Sequence, residues 1–191
     1  MSLRLAALLL PFLCLPAPAH QGHVRAIPMQ ADRAEEHLAL PDIPVTDSRS
    51  RSQGFVSRYG DAGPLLVSFI YTNCTEYCGL TISVMSILDQ DLQAPGAPPL
   101  RMVAISVDPA RDTPEVLAEL ARSVQASDRW DWVVASAPDT PALLAAFGLT
   151  PGPVEQHEPV YLLGDLRTGL FRRLPADAQP DEMLALARRM R

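Results

Sequence analysis

The chain has 191 residues, 16 basic side chains that are all arginine, 22 acidic ones and a formal net charge of −6. That length suits one domain, and with 48% hydrophobic residues it can bury a core without disulfide staples. An acidic balance with no basic tract excludes an electrostatic footprint for nucleic acid or an anionic membrane, which leaves the three cysteines as the place to look for chemistry.

Met1 to Arg4 is a short basic start, Leu5 to Leu15 is an apolar stretch broken by Pro11, and Ala17-Pro18-Ala19 is a small-residue site. Residues 1–19 therefore read as a cleavable secretory signal. Leu5 to Ala19 holds fifteen residues, three of them proline, whereas a spanning helix needs about 20 apolar residues, so no stable membrane span is expected. Cys14 falls inside the signal, and Leu13 stands before it where a lipoprotein site expects a small residue. Export would discard Cys14 and leave an even pair of thiols in an oxidising compartment, the periplasm.

Residues 20–40 have scattered charge and no period, and read as a flexible N-terminal extension carrying His20, His23 and His37. The organised domain is expected over residues 41–191. It opens with two short strands, Ile43 to Thr46 and Gly54 to Tyr59, forming an N-terminal β-hairpin around a polar Asp47–Arg51 turn. Pro64 to Tyr71 is a near-continuous apolar run, as for a strand buried on both faces. Cys74 to Gln93 carries a helical stripe of Tyr77, Leu80, Ile82, Val84, Met85, Leu88 and Leu92, stopped by Pro95-Gly96. Leu100 to Val107 is a second buried strand, and Thr113-Pro114-Glu115 opens a helix with an N-cap, a proline at the first position and a dipole-matched acid. Trp130 to Ala135 follows as a strand, Asp139 to Phe147 as a helix stopped by Gly148, Val160 to Gly164 and Gly169 to Leu174 as a strand pair, and Asp181 to Met190 as a closing helix. The alternation predicts a three-layer α/β domain.

Cys74 and Cys78 are spaced Cys-x-x-x-Cys where a buried strand gives way to a helix. Free amides and the positive end of the dipole at a helix start lower a thiol's pKa and favour the thiolate that exchange or metal binding requires. Two such sulfurs select copper(I) or zinc over hard cations, while an inert structural disulfide is the plainer alternative. His157 is the lone histidine beyond residue 40. It stands just ahead of a strand, and its spacing is compatible either with an ordinary surface residue or with a third ligand brought to the thiols along one sheet edge. Asp108 and Arg111 either pair with each other at a strand end or support the thiols from the neighbouring strand. Tyr71 and Tyr77 either wall the site or pack in the core, and Trp130 and Trp132 read as packing residues.

Tyr71-Thr-Asn-Cys-Thr-Glu-Tyr-Cys78, then Ile105-Ser-Val-Asp-Pro-Ala-Arg-Asp-Thr-Pro-Glu-Val116, then a single histidine before a Tyr-Leu strand at His157, together resemble the Sco/SenC family. The resemblance runs from about Pro41 to the C-terminus, with Thr75 and Gly79 in places where the family usually has proline. It implies a thioredoxin-like three-layer α/β fold, with a central mixed β-sheet flanked by helices. It further implies a copper metallochaperone that binds one copper ion, Cu(I) or Cu(II), through Cys74, Cys78 and His157 and assists assembly of the binuclear copper site of cytochrome c oxidase. The implied partners are the copper-receiving subunit of the oxidase, and another periplasmic copper chaperone or a thioredoxin-like reductase. The competing expectation is an exported thiol-disulfide oxidoreductase in which Cys74 and Cys78 are the redox-active pair and His157 moves protons. A cis peptide at Glu158–Pro159, immediately before a strand, would favour that second reading. A peroxidase is disfavoured, since no Pro-x-x-x-Thr-x-x-Cys pattern precedes Cys74.

Overall fold

The computed structural model of the chain describes residues 35–73, 78–150, 152–157 and 159–190, with only the backbone of Cys78 described. The expected signal, most of the expected extension and the residues from Cys74 to Tyr77 lie outside these ranges. Among the described residues no helix is long and apolar enough to cross a membrane.

The described chain forms strands β1 (Glu35–His37), β2 (Pro44–Asp47) and β3 (Ser52–Gly54), helix α1 (Phe55–Tyr59), strand β4 (Pro64–Ile70), helix α2 (Cys78–Asp91), strand β5 (Arg101–Ser106), helix α3 (Pro114–Ser123), strand β6 (Trp130–Ala135), helix α4 (Thr140–Ala146), strands β7 (Val160–Asp165) and β8 (Leu170–Pro175), and helix α5 (Pro180–Arg189). One mixed sheet orders them β1-β8-β7-β4-β5-β6-β2-β3. β4, β5 and β6 run parallel, while β7 returns antiparallel beside β4. Every residue of β4 is buried, as its unbroken apolar run requires of a strand covered on both faces.

Successive β4 side chains supply opposite cores. Leu65, Val67 and Phe69 pack with Phe55 and Tyr59 of α1 and with Leu143, Leu144 and Phe147 around α4. Leu66 and Ile70 pack with Val84, Met85 and Leu88 of α2, Leu117 of α3 and Met183, Leu184 and Ala187 of α5. The result is the expected three layers. The β4–α2–β5–α3–β6 run keeps both crossover helices on one face, as successive parallel connections of one hand do. α3 begins as its sequence predicts: the Thr113 hydroxyl accepts from the Val116 amide at 3.4 Å and Pro114 occupies the first turn.

Three local expectations are corrected. The hairpin exists, but its second strand is Ser52–Gly54, and residues 55–59 are helical rather than extended. The cap of α1 comes from a distance: Asp42 accepts from the Ser57 amide at 2.8 Å and from its hydroxyl at 2.5 Å. Gly54 makes room for that carboxylate, because a Cβ there would lie 2.2 Å from an Asp42 oxygen. Secondly, the last residues of the expected extension form β1 on the outer edge of β8, with Glu35 paired to Arg172 at 3.4 Å and Glu36 to Arg173 at 3.0 Å. The ladder to β8 holds this strand and its two acidic side chains face arginines, so it shows no apolar alternation and its pattern imitates a solvated tail. Finally, Leu80 of the predicted α2 stripe is 48% exposed, while Val84, Met85, Leu88 and Leu92 are buried as expected.

Candidate functional site

The parallel direction of β4 and β5 brings Tyr71 and Val107, the residues that follow them, to one edge of the sheet. β7 is antiparallel to β4, with Ser68 opposite Tyr161, so the start of β7 and the segment ahead of it arrive at the same edge. The topology thus converges the chain leading to Cys74, the loop after β5 and the loop carrying His157. Convergence of strand ends was expected, but the antiparallel sense of β7 is what supplies it.

His157 follows a short 3-10 turn over Val154–Gln156 and is half-buried. Its Nδ1 lies 2.8 Å from the Val154 carbonyl oxygen. A carbonyl only accepts, so Nδ1 carries the proton and Nε2 of the neutral ring keeps its lone pair. The imidazole stands edge-on to the ring of Tyr71, with centroids 5.4 Å apart and planes at 81°. Tyr71 itself is 8% exposed and belongs to the core on the α1 and α4 face, so it packs in the core and walls the imidazole at the same time. His157 is therefore held against a residue three positions ahead of Cys74.

Thr72 is anchored on the other side. Its amide points at both oxygens of Asp112 at 3.2 Å, and its hydroxyl donates to Asp112 at 2.5 Å. The Ser106 hydroxyl donates to the same carboxylate at 2.6 Å, and Asp112 is 1% exposed. Asp108 and Arg111, the residues singled out from the sequence, pair with each other at 2.9 Å instead. The sequence signal for Asp112 was a third polar residue in the same stretch, with nothing local to rank it above its neighbours.

Cys78 opens α2, as expected for a thiol at a helix start. The side chains of Cys74, Tyr77 and Cys78 lie outside the described residues, as does the Glu158–Pro159 peptide, and among the described residues no three His, Cys, Asp or Glu groups converge as metal ligands. His37 belongs elsewhere: β1 places it opposite Leu170, toward the far end of β7 from His157, while His20 and His23 lie outside the described residues. Trp130 and Trp132 stack at 4.5 Å in the core at the start of β6, as expected of packing residues. The buried phenol of Tyr161 is pushed up to about 12 by burial, so it stays protonated at neutral pH and supplies no base.

The SCO1/SenC family matches residues 50–184, a span that includes Cys74, Cys78 and His157. No curated protein gives a significant match. Among solved structures, a SCO1/SenC family lipoprotein from Bacillus anthracis str. Ames is 17% identical with a TM-score of 0.72, covering 83% of this chain and 98% of that one. BsSco, described as a member of the Sco family of cytochrome c oxidase assembly proteins with a disulfide switch, is 20% identical with a TM-score of 0.70, covering 84% and 98%. Bradyrhizobium japonicum ScoI with copper bound is 19% identical with a TM-score of 0.63, covering 80% and 100%. These likenesses agree with the expected thioredoxin-like fold.

Proposed function

We propose that this chain, which belongs to the SCO1/SenC family, is an exported copper metallochaperone that binds one copper ion through Cys74, Cys78 and His157 and delivers it to the copper-receiving subunit of a cytochrome c oxidase. The observation that carries the reading is the imidazole of His157 packed on Tyr71, with its proton committed to the Val154 carbonyl and Nε2 left as a donor. Ligating imidazoles are characteristically oriented by such a bond from the other ring nitrogen. Cys74 and Cys78 supply two soft thiolates, and the S₂N set suits copper(I) and accepts copper(II). The copper bound to Bradyrhizobium japonicum ScoI and the oxidase-assembly role stated for the family of BsSco lend support. Residues 1–19 act as the signal that takes the chain to the periplasm.

The test is copper loading of the reduced protein. Cys74→Ser, Cys78→Ser and His157→Ala are each expected to lower copper affinity by more than about tenfold, since even losing the outer partner of a ligand costs about that much. Unchanged affinity in the histidine variant would remove His157 from the site.

The disulfide switch described for BsSco favours a second reading of the same thiols. In it, one thiolate displaces a sulfur of a partner disulfide to give a mixed disulfide, and the other displaces the second partner sulfur. Two electrons and two protons pass to the partner as Cys74 and Cys78 become the disulfide. Catalytic turnover by metal-free protein, surviving His157→Ala, distinguishes this oxidoreductase from the chaperone.

A further inference from the structure

Where β4 leaves the sheet, its last bond to β5 is the Val107 amide on the Ile70 carbonyl at 2.8 Å. Thr72 lies beyond that ladder, and its amide needs an acceptor. Asp112 provides one, from forty residues further along the chain, and takes the Thr72 hydroxyl as well.

A carboxylate with 1% exposure is costly to bury. The usual offset is a guanidinium, but the adjacent Arg111 bonds to Asp108, and among the described residues no ion pair reaches Asp112. Helix capping does not explain it either, since Thr113 holds that role for α3. Among the described residues, two of its three donor groups, the amide and hydroxyl of Thr72, belong to the residue two positions ahead of Cys74. The third, Ser106, ends β5 and accepts from the Asp108 amide at 3.0 Å, which makes the anchor rigid.

We propose that Asp112 is a positioning residue for Cys74: it clamps Thr72 to the end of β5 and so restrains the segment that carries the thiol. This rests on the reading of Cys74 and Cys78 as working thiols. It adds a group that touches neither sulfur nor metal and acts through Thr72.

The test uses reduced, copper-free full-length chain, alkylated with iodoacetamide and followed by peptide mass spectrometry so that Cys74 and Cys78 are timed separately. Thr72→Val removes the hydroxyl at nearly constant shape, Thr72→Ser retains it, and Ser106→Ala removes a donor to Asp112 that lies on β5. Thr72→Val is expected to raise the Cys74 rate relative to Cys78 by about tenfold, and to lower copper affinity by about tenfold, as losing an outer partner of a ligand does. Thr72→Ser should keep the wild-type ratio, and Ser106→Ala, which loosens the anchor of Asp112 but leaves both Thr72 donors in place, should lower Tm and shift the ratio in the same direction by less than Thr72→Val. Asp112→Asn should match Thr72→Val.

Equal ratios in wild type and Thr72→Val would overturn the proposal, as would a Thr72→Ser ratio shifted as far as that of Thr72→Val. A protein that takes up no copper, yet shows the Thr72→Val shift and its serine rescue, would support the clamp while removing the chaperone reading.

Discussion

The ring of Tyr71 meets the imidazole of His157 edge-on at 5.4 Å, joining the strand that leads to the thiols with the loop that carries the candidate third ligand. Neighbouring Thr72 turns to Asp112. The end of β4 is therefore held from both sides, by an aromatic contact toward β7 and a carboxylate toward β5, immediately before the chain reaches Cys74.

Removing the Tyr71 ring while keeping an apolar side chain tests the first of these contacts. Aromatic pairs contribute about 0.5–1.5 kcal/mol beyond their buried area. Tyr71→Leu is expected to weaken copper binding by about threefold to tenfold in a chelator competition. An affinity equal to wild type would mean that the ring does not orient His157.

The bond from His157 to the Val154 carbonyl makes a spectroscopic prediction. Nitrogen-15 spectra of the reduced, metal-free protein should show the His157 ring protonated on Nδ1, with Nε2 as the pyridine-type nitrogen, and copper(I) should shift the Nε2 resonance most. The opposite tautomer would show that the carbonyl bond does not hold in solution.

Asp47 links the hairpin turn to α1. Burial on its own raises this carboxyl, but hydrogen bonds from Arg51 and Arg58 outweigh it and hold the group at about 2, against an ordinary 3.8. A depressed folded-state value stabilises the fold above the unfolded value and ceases to do so as pH falls through the folded one. Asp47 should therefore contribute on the order of 2 kcal/mol at neutral pH, in full above about pH 4 and vanishing near pH 2. Asp47→Asn is expected to lower Tm at pH 7, with the wild-type and variant curves converging toward pH 2. Parallel curves down to that pH would show that the charge is not the cause.

Gly164 on β7 has space for no side chain. A Cβ there would lie 2.3 Å from the Phe171 ring and 2.4 Å from the Leu170 carbonyl, and the backbone atom can move only by distorting the β7–β8 pairing. Gly164→Ala should cost about 1–3 kcal/mol, the range for overpacking, read as a lower urea midpoint. A midpoint equal to wild type would mean that the β8 backbone yields freely.

Much of the fold was legible because its signals are local. The unbroken run of β4 required burial on both faces, and Thr113-Pro114-Glu115 carried its own cap. α1 was misread because its capping carboxylate, Asp42, lies fifteen residues upstream of Ser57, beyond the reach of a local pattern. β1 was missed because Arg172 and Arg173, which pair with it, come from the other end of the chain. At the site, three polar residues in one loop were nearly equivalent as text, and the turn after β5 decided that Asp112 rather than Asp108 or Arg111 faces Thr72.

The sequence by itself determined the chemistry on offer: beyond residue 40, one thiol pair at a helix start, one histidine, and the order of strands and helices around them. Spacing and periodicity carry that much, because they act within a few residues. Only the tertiary structure decided that β7 returns antiparallel to β4 and sets His157 against Tyr71, and that Asp112 holds Thr72. Those outcomes depend on strand direction and on packing between distant segments, for which no short stretch of chain holds the information.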